Sequence, residues 1–413
     1  MAWCRIRPPC SASAGRLIEA AGGTRLGIYA EYLDRQMSFP DLTAERKKQL
    51  GRIAEIRGRD VLVYASDLRK GTSSIAIGYE DLLPITDQLS NLTGSAVDVI
   101  LETPGGLAEV AEDIVRLLHD KYDHVAFLVP GAAKSAGTIM ATAGDDILLE
   151  PGSSLGPIDA QLSWQGRTAY SADAFLKGLE EIKDEVNRTG SLNRAYIPIL
   201  QNISPGEIQH AKNGLSFAKD LVTRWLAQYK FRPWTQHSST GKAVTEEDRE
   251  ARAREIAEQL CDHGRWLSHG RSIKLADLVG MRLKITDYST EPDLFDAIRR
   301  YHTLLQMTFD SAIYKVFETP SSQIYRFASQ GVQPAPQPIS IGRKAIAEVE
   351  CGRCHAHHKL QLNLERGVML EEGCLRYPKG DSLPCPECGQ ELNLAELRRQ
   401  VEMQTKREVV LDD

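Results

Sequence analysis

Between residues 97 and 159 the rhythm of apolar and polar positions changes several times, and each change predicts a short buried element. Val97 to Leu101 is an apolar run of strand length. Thr103-Pro104-Gly105-Gly106 ends it, because this proline–glycine run continues neither a strand nor a helix. Leu107, Val110, Ala111, Ile114, Val115 and Leu118 then recur at helical spacing. His124 to Val129 is a second apolar strand, broken at Gly131. Lys134-Ser135-Ala136-Gly137 opens a small-residue helix over Thr138 to Ala143, and Ile147 to Leu149 is a third strand. Strand, helix, strand, helix, strand at this density predicts parallel strands joined by right-handed crossovers. Such sheets bind ligands at the carboxyl ends of their strands, where both glycine-rich corners fall.

The flanking sequence extends the pattern. Residues 25–57 read as helical, with a start at Leu42-Thr43. Asp60 to Tyr64 reads as a strand, Ile75 to Ile77 as a short extended piece and Tyr79 to Leu92 as a helix. Further helices are expected over 171–188, 207–230, 244–260 and 273–280. Residues 293–318 read as one long amphipathic helix, from the spacing of Leu294, Ile298, Tyr301, Leu304, Leu305 and Phe309. Residues 1–24 read as a flexible N-terminus and 25–331 as one α/β domain with helical extension. A proline-rich linker over 332–341 and a separate module over 342–413 follow.

Composition narrows the class. With 413 residues, 42% hydrophobic and 26% charged, the chain should fold around more than one core. A net charge of -6 gives no global electrostatic case for nucleic acid or anionic membrane. No apolar run approaches the ~18 residues that a membrane helix needs. The N-terminus lacks the apolar stretch of a secretory signal, so the expected location is cytoplasmic.

The cysteines divide into two sets. Cys4, Cys10, Cys261 and Cys374 are scattered, without the pattern of a disulfide framework. Cys351 and Cys354, and Cys385 and Cys388, form two CxxC knuckles, whose turns let paired thiolates converge on one tetrahedral ion. With a β-rich segment such as Lys359 to Leu364 between them, they predict a zinc ribbon with structural Zn2+, since four thiolates leave no position for water. His355, His357, His358 and Cys374 could compete as ligands, but fit solvated loop positions better.

Ser135 draws attention for its chemistry. A serine nucleophile needs an exposed Oγ, a base and N–H donors aimed at the developing oxyanion. A helix start and a nearby Gly105-Gly106 corner could supply the donors. A plain N-cap serine fits the same spacing equally well.

Thr103-Pro104-Gly105-Gly106, Ser135-Ala136-Gly137-Thr138 and Leu155-Gly156-Pro157-Ile158-Asp159 together resemble the Clp-fold serine protease superfamily. That superfamily holds Clp protease, signal peptide peptidase A and the crotonases; the match is closest to the serine dehydrogenase proteinases. The resemblance extends loosely over 57–283 and implies a Clp/crotonase-like parallel-sheet core with helical additions. It implies Ser135 as nucleophile, with N–H groups near Gly105 or Gly106 and of Ala136 as oxyanion hole. No histidine lies between Ser135 and His210, which argues against the histidine placement of Clp protease proper. In signal peptide peptidase A the base is a lysine downstream of the serine, and Lys177 and Lys183 fall in that window. Lys183 is preferred because a helical wheel puts it beside Ile182 and Leu179, whereas Lys177 points almost opposite. Against both stand Glu180, Glu181, Asp184 and Glu185, carboxylates that would keep a lysine charged. Lys134 reads as an exposed flank, Asp159 as an orienting group or a loop cap, and His269 as a further base candidate.

The expected function is a serine endopeptidase with a Ser-Lys type dyad, acting on protein or peptide substrates as a homo-oligomer, its zinc ribbon recruiting substrate or a partner. An inactive oligomeric scaffold, its ribbon binding protein or nucleic acid, is the alternative. A crotonase-like enzyme acting on an acyl thioester is a third. Neither a GxGxxG after a strand nor a GxxxxGK[ST] loop is present, so no nucleotide motif accompanies the core.

Overall fold

Val97 to Leu101 lies inside a strand buried on both faces, as a parallel sheet covered by two helical layers requires. The computed structural model describes residues 27–71, 73–162, 170–237, 240–328, 339–341, 343–405 and 407–411. It divides into two compact units, 1–325 and 326–413. The larger unit is built on β1 (Asp60–Ser66), β2 (Ala96–Glu102), β3 (His124–Leu128), β4 (Asp146–Leu149), β5 (Thr286–Asp287), β6 (Ile313–Glu318) and β7 (Gln323–Phe327). Their spatial order is β7-β6-β1-β2-β3-β4-β5. From β1 to β5 the neighbours run parallel, with Val63 beside Ile100 and Val99 beside Phe127. β6 lies antiparallel to β1.

The helices used below are α1 (Phe39–Arg57), α2 (Ala108–Lys121), α3 (Ala136–Thr142), α4 (Ala172–Thr189), α5 (Pro205–Trp225), α6 (Glu246–Cys261), α7 (Leu275–Gly280) and α8 (Pro292–Phe309). Alternate strand residues feed opposite layers. Leu62, Tyr64, Val99, Phe127 and Ile147 pack with residues of α2, α3, α5, α6 and α7. Val61, Val63, Ile100, Ala126 and Leu148 pack with Leu50 and Ile53 of α1 and with the apolar face of α8.

Three boundaries differ from the expectation. α1 starts at Phe39 rather than near Leu42, because Ser38 caps it. Ser38 N–H donates to the Asp41 carboxylate at 3.0 Å, and Asp41 N–H donates back to Ser38 Oγ at 3.4 Å. The helix expected over 207–230 changes at Leu226 to a wider five-residue π turn. The helix expected over 293–318 ends at Phe309, and Ile313–Glu318 is strand β6. Ser311 makes that break: its hydroxyl donates to Thr308 O at 2.7 Å and accepts Ile313 N–H at 3.2 Å. β6 also carries two buried charges, each with its partner. Lys315 Nζ lies 2.8 Å from Asp81, and Glu318 lies 3.1 Å from Arg46.

The smaller unit holds a four-stranded sheet, β8 (Ile339–Ile341), β9 (Lys344–Glu350), β10 (His357–Asn363) and β11 (Cys374–Arg376), in that order. A hairpin of β12 (Ser382–Pro384) and β13 (Glu391–Asn393) follows, then α9 (Ala395–Thr405). Leu360, Leu362, Leu392, Leu397 and Val401 form its core, together with Cys351 and Cys385. The N-terminus expected over 1–24 lies outside the described residues, as does most of the linker expected over 332–341. Among the described residues, no helix is long and apolar enough to cross a membrane.

Candidate active site

The two glycine corners meet at the carboxyl ends of β2 and β3. Thr103 N–H donates to Ala132 O at 3.0 Å, and Lys134 N–H donates to Thr103 O at 2.9 Å, so the corners are stitched together. Ser135 sits between them at φ +50° and ψ -116°. A side chain seldom adopts this conformation, and here it turns Ser135 out at the mouth of α3. Its side chain makes no capping bond to α3, so the structure removes the plain N-cap reading. Among the described residues, no hydrogen bond joins Ser135 Oγ to a lysine or a histidine.

Gly105 and Gly106 hold φ +101° and +149°, values that L side chains avoid. A Cβ on Gly105 would stand 2.6 Å from Ser135 Cβ and 2.7 Å from Lys134 O. Ile77, the extended residue expected from the sequence, pins this corner. Its N–H donates to Gly105 O at 2.7 Å, and its O accepts Leu107 N–H at 3.0 Å. Gly105 N–H already donates to Thr103 Oγ1 at 3.2 Å. Gly105→Ala is therefore expected to shift Ser135 and lower turnover by about 10²-fold, the cost of misplacing a reacting group by roughly 1 Å. Steady-state kinetics beside a thermal melt will separate this from unfolding, because the melt should stay cooperative.

Around Asp159 gathers a group that the sequence pattern does not assemble. Asp159 is buried at the end of the Leu155–Asp159 motif, and its Oδ1 accepts Ser171 Oγ–H at 2.7 Å. Two imidazoles face its Oδ2: His263 Nδ1 at 3.1 Å and His269 Nδ1 at 4.0 Å. His269 Nδ1 is buried without a hydrogen-bond partner among the described residues. Burial holds His269 below the usual imidazole value, against the upward pull of Asp159, and both His263 and Lys134 push it further down. Nothing local in the sequence links residue 159 to residues 263 and 269. The signal was only the motif Asp159 and a histidine-bearing loop.

The lysines stand elsewhere. Lys183 is 62% exposed and pairs with Glu180 at 2.5 Å, which raises its pKa. Lys177 bridges Asp173 at 2.8 Å and Asp262 at 3.0 Å, and these two bonds raise its pKa as well. Both are thereby kept protonated, the opposite of what a base needs, and the preference for Lys183 is corrected on that ground. Lys134 is also not the exposed flank expected. Its stem crosses Gly156, and its Nζ donates to Leu155 O at 3.0 Å, Arg271 O at 3.2 Å, Ser154 Oγ at 3.3 Å and Ser272 Oγ at 3.0 Å. Burial, then Lys274, pull it down to about 8.

In the smaller unit the Sγ atoms of Cys351, Cys354, Cys385 and Cys388 all lie within 4.8 Å of one another. Cys351 to Cys388 is 3.6 Å and Cys354 to Cys385 is 3.7 Å. A disulfide would bring sulfurs to about 2.05 Å. Four thiolates at about 2.3 Å from a tetrahedral ion stand about 3.8 Å apart. The cluster therefore fits a metal ion. His358 Nε2 lies 3.2 Å from Cys385 Sγ, beside the cluster, while Cys374, His355 and His357 are not part of it.

Residues 89–213 match the model of the ClpP-like SDH-type serine proteinase family. The match spans Gly105, Gly106, Ser135, Ala136 and Asp159 and stops short of His263 and His269. Two uncharacterized proteins of Methanocaldococcus jannaschii are similar to the chain. One is 33% identical over 128 residues, which is 31% of this chain and 43% of that protein. The other is 35% identical over 138 residues, 32% of this chain and 48% of that protein. The chain thus spans about half the length of the curated relatives it matches. Two solved mutants of 1510-N membrane-bound stomatin-specific protease, one in complex with a substrate peptide, share 15% and 16% identity with it. They cover 54% and 52% of this chain, and 79% and 70% of their own, with TM-scores of 0.31 and 0.30.

Proposed function

We propose that the protein is a serine endopeptidase in which Ser135 is the nucleophile, His269 the base and Asp159 the group that orients it. The observation that carries the reading is the strained backbone of Ser135, its side chain free of any capping bond, beside paired glycines that only a missing Cβ permits. Ser135 Oγ attacks the peptide carbonyl carbon as its proton passes to His269 Nε2. The oxyanion that forms is held by N–H of Gly106 and of Ala136; Gly105 is left out because its N–H is taken by Thr103. The C–N bond breaks and the imidazolium gives its proton to the leaving amine; water, deprotonated in turn by His269, then attacks the acyl ester, the C–Oγ bond breaks, and the imidazolium returns the proton to Ser135 Oγ. A neutral His269 is supported by its depressed pKa, and the 4.0 Å to Asp159 is of the loose kind that tightens when substrate binds. His263, closer to the same carboxylate, is the second candidate for the base.

The four-cysteine cluster is proposed to hold structural Zn2+ through Cys351, Cys354, Cys385 and Cys388. Such thiolates belong to a reducing compartment, in keeping with a cytoplasmic location. Self-association and a partner for the zinc unit remain part of the proposal.

Incubation of the full chain with an unfolded protein substrate tests the reading. New peptide ends are expected with the wild type and none with Ser135→Ala. A folded, oligomeric wild type that releases no peptides would leave the scaffold alternative standing instead.

A further inference from the structure

At the end of the sheet opposite Ser135 lies a second concave site. Asp146 opens β4 and binds Lys230 Nζ at 2.7 Å. Lys230 lines a cleft of about 650 Å³, together with Phe231, Trp234, Arg252, Arg282 and Lys284. Two of its four cations are answered within the protein. Lys230 has Asp146, and Arg252 reaches Glu255 and the carbonyl of Met281. The side chains of Arg282 and Lys284 are exposed and, among the described residues, make no ion pair or hydrogen bond.

Arg282 is also in a backbone conformation that side chains avoid, at φ +58°. It follows the end of α7, where Arg282 N–H donates to Val279 O at 2.8 Å and Leu283 N–H to Leu278 O at 3.0 Å. Glycine is the usual residue in this helix ending. An arginine there brings strain, and its guanidinium has no partner among the described residues, which leaves it open to a ligand. Beside it, the half-buried indole of Trp234 packs edge-on against Phe231, with centroids 6.0 Å apart, and against His237 at 5.2 Å. The ring is thereby held upright in the cleft wall.

We propose that this cleft binds a nucleoside diphosphate, with its phosphates on Arg282 and Lys284 and its base against Trp234. The guanidinium fork matches phosphate oxygens, and an indole offers the base a stacking or edge contact. Glu255 lies in the cleft and Asp248 stands 3.5 Å from His237, an acidic border that disfavours a longer polyanion such as nucleic acid. The site uses no residue of the proposed catalytic group, so either reading can fail without the other.

Calorimetric titration of the full chain with ADP and UDP, and with pyrophosphate and adenosine as the separated halves, tests the proposal. Saturable binding of at least one diphosphate is expected, with pyrophosphate and adenosine each weaker by about tenfold or more. Lys284→Met and Arg282→Gly should each weaken the diphosphate by about tenfold, and Trp234→Ala should bring it toward pyrophosphate. Arg282→Gly should melt no lower than the wild type, because glycine relieves the strained helix end; this separates a binding role from a structural one. Absence of saturable binding of both diphosphates at about 1 mM would overturn the proposal. So would an Arg282→Gly chain that binds like the wild type. Pyrophosphate binding as tightly as the diphosphates would overturn the nucleoside part.

Discussion

His269→Ala is expected to lower kcat for peptide hydrolysis on the order of 10⁶-fold, since a nucleophile and its base act as one unit. Lys183→Ala and Lys177→Ala should leave kcat unchanged, because both lysines are charged surface groups in ion pairs. The pH profile of kcat/KM carries the same information. His269 accepts a proton only while neutral, and burial holds its pKa below the ordinary 6.5. Activity should therefore persist through neutral pH and fall only as pH drops below 6.5, when the imidazole fills with its own proton. An alkaline limb near pH 8 is expected from Lys134. Above that value it loses the charge that strengthens its bonds to Leu155 O and Arg271 O, and with it the grip on the segments around Ser135. Lys134→Met should lower kcat modestly and remove the alkaline limb while leaving the acid limb in place. A profile flat from pH 5 to 7 that ends in a steep rise toward pH 10 would instead point to a lysine base.

With zinc in the four-cysteine cluster as proposed, its removal should unfold the unit of residues 326–413 and leave the larger unit intact. Structural zinc in small modules contributes about 10–16 kcal/mol of binding free energy, more than the whole stability of most such domains. Cys351 and Cys385 are buried in the same core as Leu360, Leu362 and Val401, so loss of the ion removes the anchor of that packing. Calorimetry with and without a strong chelator, beside elemental analysis of the untreated protein, reads both effects. One zinc per chain and loss of a single thermal transition are expected. An unchanged melt after the metal has gone would assign the stability of this unit to its apolar core alone.

The core of the sheet was legible in the sequence because its strands are short apolar runs and its crossovers keep a clean 3.6-residue rhythm. The corners were legible because Gly105 and Gly106 have no substitute at their backbone angles. β6 escaped because Ile313 to Glu318 continues an apolar face after α8, and only Ser311 marks the break. Lys183 misled for a different reason. A helical wheel tells which face of α4 is apolar, not whether anything covers it. In the structure α4 buries only Ala172, so a lysine beside Ile182 and Leu179 is still in water. Asp159, His263 and His269 meet only after the chain has returned past β4, when Leu155 pairs with Ile273 in an isolated bridge. No local pattern carries that pairing, which belongs to topology rather than to spacing.

Covalent capture tests most directly whether Ser135 is an activated nucleophile. The native full chain is treated with a serine-reactive phosphonate, and its intact mass and its peptide map are read. A single adduct is expected on the peptide that contains Ser135, absent from Ser135→Ala and retained in Lys183→Ala. Equal labelling of a folded Ser135→Ala chain would contradict Ser135 as the nucleophile.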